Sequence, residues 1–176
     1  IYQKRVRVLM KNKENITLIG MPAVGKSTVG HLLARQMGYA FLDSDDLITK
    51  GEKRSLSQII ACEGLENFLN IEKTHILSIG CKKHIIATGG SVVYKEQAMQ
   101  HLSDISTIVY LNVDVDTLTT RLSDLSGRGV AIAPGKTLQD LYKERTPLYD
   151  AWCDIKIDCK TLSADEVSQR ALKHLV

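Results

Sequence analysis

Two groups of residues in this sequence have the types and the spacing that phosphate chemistry needs. The first is the segment Gly20 to Ser27, which reads Gly-Met-Pro-Ala-Val-Gly-Lys-Ser. It fits the pattern G-x-x-x-x-G-K-[ST], in which backbone N–H groups cradle phosphates, the lysine reaches the β- and γ-phosphates, and the hydroxyl binds Mg²⁺. The second group is Asp43 to Asp46, with three carboxylates in four residues. The sequence therefore predicts a nucleoside triphosphate site with acidic side chains in a second segment.

Short apolar runs alternate with helical patterns along the chain. The runs predict strands at residues 16–19, 39–42, 84–88, 107–113 and 154–158. The spacing of apolar side chains predicts helices at residues 28–37, 55–79 (one helix, or two with a break near Gly64), 95–102, 115–122, 137–149 and 163–175. This alternation predicts an α/β fold of three layers, in which a central parallel five-stranded sheet has helices on both faces.

The candidate functional segments all follow predicted strands. Ligands of parallel sheets bind at the carboxyl ends of the strands. The segments at these ends are the P-loop, Asp43–Asp46, Gly89–Gly90 and the loop at Asp158. The agreement between fold and residue type indicates one functional edge of the sheet.

Composition limits the class of protein. With 176 residues, 44% of them hydrophobic, the chain suits a single domain, assigned to residues 16–176 after a basic extension at residues 1–15. A net charge of +3 and the lack of a long apolar run argue against nucleic acid and membrane partners. The four cysteines have no C-x-x-C spacing, as expected of reduced thiols in a cytoplasmic protein. We expect a monomer.

The P-loop by itself is common to several classes of protein. GTPases need a base-reading N-K-x-D segment, which the sequence lacks. Motors and helicases are generally longer and usually have an acidic pair at a strand end, whereas the strand at residues 84–88 ends in Gly89-Gly90. A nucleoside monophosphate kinase would need several arginines after the second strand, and few candidates occur there. The sequence thus favours a small-molecule kinase.

Several ordered motifs resemble those of the shikimate kinase family, from Ile16 to about Leu175. Besides the P-loop, they are Phe41–Ile48, Ala87–Gly90, Glu144–Tyr149 and Ile157–Asp158. The resemblance implies a P-loop kinase fold with a mobile lid, placed at about residues 123–137 because this segment holds three glycines and a proline. It also implies ATP and Mg²⁺ as cofactors and phosphorylation of a small hydroxy acid, shikimate, to shikimate 3-phosphate.

The resemblance also implies roles for individual residues. The nucleotide-binding positions are Gly20, Ala23, Val24, Gly25, Lys26, Ser27, Thr28, Arg121, which packs on adenine, and Asp158. The metal positions are Ser27 and, through water, Asp43. The catalytic residues are Lys26, Asp45 and the lid residue Arg128, and the substrate-binding residues are Asp45, Gly89, Gly90, Arg128 and Arg145. If the acidic segment is extended, Asp43 and Asp45 point the same way, so that one faces metal and the other faces substrate.

The sequence departs from the family pattern at positions that bind the acceptor. Leu69 replaces an arginine that binds the shikimate carboxylate in the family, and Ser91 replaces a third glycine. The lid reads Arg128-Gly129-Val130-Ala131 in place of R-P-L-L. Two explanations stay open: Lys136 or Lys73 replaces the missing cation, or the acceptor is a different hydroxyl compound.

Two rival functions follow from these departures. One is a kinase for another small hydroxyl substrate, such as a sugar acid or a hydroxy amino acid. The other is a non-catalytic relative that binds nucleotide without turnover. The retention of Lys26, Ser27, Asp43, Asp45 and Arg128 argues against the second.

Overall fold

The computed structural model describes residues 13–123 and 135–175. The strands are β1 (Asn15–Ile19), β2 (Ala40–Asp43), β3 (His84–Ala87), β4 (Ser106–Asn112) and β5 (Ile155–Asp158). The helices are α1 (Lys26–Met37), α2 (Ser44–Glu52), α3 (Leu56–Leu77), α4 (Glu96–Ile105), α5 (Val115–Ser123), α6 (Leu138–Trp152) and α7 (Ala164–Leu175), and a 3₁₀ turn covers Val92–Tyr94.

The five strands form one sheet in the order β2-β3-β1-β4-β5, and all neighbouring pairs are parallel. All five residues of β1 are buried. Successive side chains of a strand point to opposite faces, so full burial means that both faces of the sheet are covered. The predicted three-layer α/β fold is therefore confirmed. β1 starts at Asn15, one residue inside the predicted extension.

Local sequence signals set the bounds of several helices. Gly25 precedes α1 with φ 102° and Gly38 follows it with φ 66°, a backbone region that glycine enters without a steric penalty. α3 begins with a capping box between Ser55 and Gln58. Of the two alternatives for this region, the structure has the one with a break, because Gly64 has non-helical dihedral angles (φ 81°, ψ 166°) inside α3.

Two hydrophobic clusters hold the elements together. The larger one surrounds the sheet and includes buried residues of β1, β3 and β4. The smaller one joins α2 to α3 through Ile48, Ile59, Phe68 and Leu69. This smaller cluster fixes α3 beside the functional edge.

The described residues contain no helix with the length and apolar character needed to cross a bilayer. All four cysteines are free thiols, as the sequence predicts.

Candidate active site

The P-loop joins the central strand β1 to α1. At Gly20 (φ 144°), a Cβ atom would lie 2.5 Å from the carbonyl oxygen of Leu111 on β4, so only glycine fits without movement. Ala23 also has a positive φ, 62°. These dihedral angles wrap the loop around the start of α1, where free backbone N–H groups and the helix dipole favour a bound anion.

Lys26 is folded back onto its own loop. Its Nζ donates hydrogen bonds to the carbonyl oxygens of Gly20 (2.7 Å) and Met21 (2.8 Å). The side chain is only 8% exposed. Burial lowers the pKa of Lys26 to about 8, and the carboxylate of Asp45 opposes this shift. A phosphate group bound here would add negative charge beside the Lys26 ammonium.

Ser27 and Asp43 bring a hydroxyl group and a carboxylate together beside the P-loop. Ser27 Oγ donates to Asp43 Oδ2 at 2.8 Å. Mg²⁺ prefers oxygen ligands and typically binds through one or two carboxylates together with substrate phosphates. The described residues hold no group of three or more His, Cys, Asp or Glu side chains that could bind a metal alone. The pair therefore fits Mg²⁺ that is bound together with a nucleotide.

The acidic segment is not extended as predicted. Asp43 ends β2 and caps α2, because its Oδ1 accepts the backbone N–H of Asp45 at 3.0 Å. Asp45 lies in the first turn of α2, and Asp46 is exposed there. Asp43 accepts a hydrogen bond from the Ser27 hydroxyl, whereas Asp45 Oδ1 lies beside Gly89.

The other residues predicted to bind nucleotide lie on α1, on α5 and at the end of β5. Arg121 on α5 donates from Nη1 to the carbonyl oxygen of Val24 at 3.2 Å, which ties α5 to the loop. Asp158 is the last residue of β5, and its Oδ1 accepts the backbone N–H of Lys160 at 3.1 Å. Thr28 is exposed on the first turn of α1. Arg128 and most of the expected lid lie outside the described residues.

Gly89 and Gly90 follow β3, and Gly90 lies between the P-loop and Arg145. A Cβ on Gly90 would lie 2.9 Å from Pro22 Cδ and 3.1 Å from Arg145 Nη1, so a side chain would collide with the P-loop. The Gly90 carbonyl oxygen accepts a hydrogen bond from the Tyr149 hydroxyl at 2.6 Å. The loop is thus held between the P-loop and α6.

Arg145 is 1% exposed and projects from α6 toward Gly90. Its Nε donates to the Tyr94 hydroxyl at 3.0 Å, and its guanidinium lies 5.0 Å from the centre of the Tyr94 ring. Sequence analysis missed Tyr94, which lies in the 3₁₀ turn after β3 and offered no motif.

Sequence analysis also missed Glu72, a carboxyl group on α3 that is 1% exposed. Ser91 Oγ donates to its Oε2 at 2.9 Å. Burial and the nearby Asp45 carboxylate raise the pKa of Glu72 to about 8. A signal was available in the sequence, since Glu72 lies three residues after Leu69 and so on the same helix face.

A cavity of about 300 Å³ opens beside Arg145 and Leu69. Its lining residues are Leu65, Glu66, Leu69, Tyr94, Lys95, Lys136, Leu141, Glu144 and Arg145. Of the two lysines proposed as replacement cations, Lys136 lines this cavity and Lys73 does not. Lys136 is paired with Glu144, and the unpredicted Lys95 is paired with Glu66. Leu69 itself is packed in the smaller hydrophobic cluster at 7% exposure.

Comparison with known proteins agrees with this geometry. The family model described as shikimate kinase matches residues 22–176. A shikimate kinase of Trichormus variabilis is 40% identical over 147 residues, which are 81% of this chain and 80% of that protein. Human threonine synthase-like 1 is 32% identical over 90% of this chain, but the match covers only 22% of that protein.

Solved structures give the same result. The structure of shikimate kinase from Acinetobacter baumannii in complex with shikimate superposes with a TM-score of 0.86 at 28% identity. The match covers 93% of each chain.

Proposed function

Because the chain belongs to the shikimate kinase family, we propose that it transfers the terminal phosphate of ATP to a hydroxyl group of shikimate. The observation that carries this proposal is the junction of two half-sites at one edge of the sheet. The P-loop with Lys26 forms the donor half, and Asp45, Gly89, Gly90 and Arg145 form the acceptor half. The Lys26 ammonium interacts with both Asp45 and Arg145, so the two halves face each other.

The donor half holds the triphosphate. The N–H groups of the loop and the start of α1 bind phosphate oxygens, and Lys26 turns from the carbonyl oxygens of Gly20 and Met21 toward the phosphates. Ser27 directly and Asp43 through water would hold Mg²⁺, which would neutralise charge on the phosphates. Arg121 is placed beside the loop for the adenine base, and Arg128 completes the charge around the transferred group from the lid.

The acceptor half holds the hydroxyl compound. Asp45 accepts the proton of the attacking hydroxyl, since phosphoryl transfer needs positioning and a carboxylate base rather than a covalent intermediate. The buried Arg145 binds the acceptor carboxylate, and Tyr94 fixes the plane of its guanidinium. The glycine loop lets the acceptor approach the backbone closely.

Because Leu69 stands where the family has an arginine, another cation would have to assist Arg145 in binding the acceptor carboxylate. Lys136 and Lys95 line the cavity beside Arg145, and each can exchange its glutamate for a carboxylate of the acceptor. Lys136 lies near the end of the expected lid, which suits a residue that closes over a bound acceptor. A sugar acid or hydroxy amino acid is the alternative acceptor that the loss of the arginine allows.

The test is ADP release with ATP and Mg²⁺, with shikimate and a panel of sugar acids and hydroxy amino acids as acceptors. We expect shikimate to stimulate ADP release and shikimate 3-phosphate to appear by mass spectrometry. Lys26→Ala is the control that removes the donor-half cation, and it should abolish transfer while melting as a folded protein.

Other outcomes of this assay lead to different conclusions. Stimulation by another hydroxyl compound and none by shikimate would replace the acceptor and keep the kinase activity. ATP binding without turnover on any acceptor would favour the non-catalytic alternative.

A further inference from the structure

Glu72 is a buried carboxyl group in the acceptor half that the proposed transfer leaves without a role. It is 1% exposed, and its Oε2 accepts the Ser91 hydroxyl at 2.9 Å. Its other oxygen, Oε1, has no hydrogen-bond partner within residues 13–123 and 135–175. A buried polar atom without a partner destabilises a fold, so such an atom beside a binding site indicates a ligand that pairs with it.

The position of Oε1 is fixed by the glycine loop. A Cβ atom on Gly89 would lie 2.6 Å from Glu72 Oε1 and 2.9 Å from Asp45 Oδ1. The absence of a side chain at this position therefore leaves room for two carboxyl oxygens side by side. One of them belongs to the residue that accepts the proton of the attacking hydroxyl.

The charges around Glu72 favour its neutral form. Burial is the largest cause that raises its pKa to about 8, and the Asp45 carboxylate of α2 adds to the rise. The Ser91 hydroxyl, Arg145 of α6 and Lys26 of α1 oppose it. Two adjacent carboxyl groups do not both ionise readily, so Glu72 holds a proton near neutral pH while Asp45 is charged.

The proton of Glu72 lies on the oxygen beside Gly89 and Asp45. Ser91 donates to Oε2, so that oxygen acts as the acceptor and Oε1 carries the hydrogen. Leu69 is consistent with this state, because it places an apolar side chain one turn before Glu72 on the same face of α3. A cation at that position would instead favour the ionised carboxylate.

We propose that Glu72 is an acceptor-binding residue whose neutral carboxyl group donates a hydrogen bond from Oε1 to a hydroxyl oxygen of the acceptor, beside Asp45. This inference rests on the proposed function and narrows the acceptor class. The acceptor carries two hydroxyl groups on neighbouring carbons. One hydroxyl group donates a hydrogen bond to Asp45, and the other accepts a hydrogen bond from Glu72.

The test measures the KM for shikimate from pH 6.5 to 9.5 at saturating ATP and Mg²⁺. In the wild type, KM should rise as the pH passes about 8, where Glu72 ionises. Loss of one hydrogen bond corresponds to a rise of roughly 3- to 10-fold. Glu72→Gln keeps a neutral donor and should have a KM that no longer changes through this pH range.

Two further variants sharpen the result. Ser91→Ala removes a hydrogen bond that stabilises the carboxylate, so the rise in KM should move to higher pH. Glu63→Gln makes the same chemical change as Glu72→Gln on α3, at a residue that pairs with Arg54, and should keep the wild-type profile. A wild-type rise in Glu72→Gln, or an unmoved rise in Ser91→Ala, would overturn the proposal.

A direct measurement separates this inference from the proposed function. The ¹³C signal of the Glu72 carboxyl group, identified by its loss in Glu72→Gln, should titrate near pH 8 and shift when shikimate is added. Titration near the ordinary 4.5 would overturn the inference and leave the kinase activity standing. If shikimate is not phosphorylated, the proposed function fails, and titration near 8 with a shift on adding another vicinal diol would still support the role of Glu72.

Discussion

At the scale of single residues, Asp45 and Asp46 are neighbours on α2, but only Asp45 contacts the site. Its Oδ1 lies against Gly89, whereas Asp46 is exposed. Asp45→Asn should lower kcat by about 10²- to 10⁴-fold, the usual contribution of a general base, with little change in the KM for ATP. Initial rates at varied ATP and saturating acceptor measure both quantities.

Asp46→Asn is the matched control for this prediction. It removes the same charge from the next residue of the same helix and should leave kcat unchanged. The capping bond of α2 uses the backbone N–H of Asp45, so neither variant removes it. Equal losses of kcat and of ATP affinity in Asp45→Asn would contradict the role of a base and indicate a structural one.

The sequence was informative for residues that lie close together in the chain. The P-loop pattern identified Lys26 and Ser27 because eight consecutive residues carry the whole motif. Glu72 and Tyr94 were missed because they come from α3 and the 3₁₀ turn, and only the tertiary structure brings them to Arg145 and Gly89. The spacing from Leu69 is a local signal for Glu72, but the burial of Glu72 and the contact of Tyr94 with Arg145 arise only in the folded chain.

At the scale of elements, α3 supplies both Leu69 to the smaller hydrophobic cluster and Glu72 to the site. Leu69→Arg should place a guanidinium one turn from Glu72, where it would ionise that carboxyl group and reach the cavity beside Arg145. An arginine–carboxylate hydrogen bond contributes about 1.5–3 kcal/mol, or roughly 10- to 100-fold in KM, and the ionisation of Glu72 offsets roughly 3- to 10-fold of this gain. The KM for shikimate should therefore fall by up to roughly 30-fold. The melting temperature should fall as well, because the cluster loses a packed leucine.

Leu69→Gln separates these two effects. It removes the leucine from the cluster without adding a charge, so it should lower the melting temperature and leave the KM without improvement. If Leu69→Arg behaves in the same way as Leu69→Gln, position 69 has only a packing role in this chain.

The elements differ in how well the sequence predicts them. All five strands were predicted, because apolar runs leave clear signals, and Gly64 inside a helical pattern indicated where a break could occur. α2 was not predicted. It has nine residues, and the family resemblance assigned its capping residue Asp43 to Mg²⁺ through water. Packing of Ile48 against α3 stabilises this helix, which is a tertiary effect.

At the scale of the whole molecule, the site reduces the stability of the fold in a pH-dependent way. The pKa of Glu72 is raised from 4.5 in the unfolded chain to about 8 in the folded protein. Between these values the folded state binds a proton that the unfolded state lacks, so the free energy of unfolding falls as pH rises. The pKa of Lys26 is lowered from 10.5 to about 8, so its contribution increases with pH above 8.

Glu72→Gln isolates the first of these effects. Its stability relative to the wild type should increase from pH 5 to about 8 and then stay constant, because the variant has no proton to lose. The slope can reach about 1.4 kcal/mol per pH unit, and urea unfolding at each pH measures it. Glu63→Gln, on the same helix, should show no such trend. A difference in stability that does not change between pH 5 and 8 would mean that Glu72 ionises at its ordinary pKa. The acceptor half would then contain two carboxylates rather than a carboxylate and an acid.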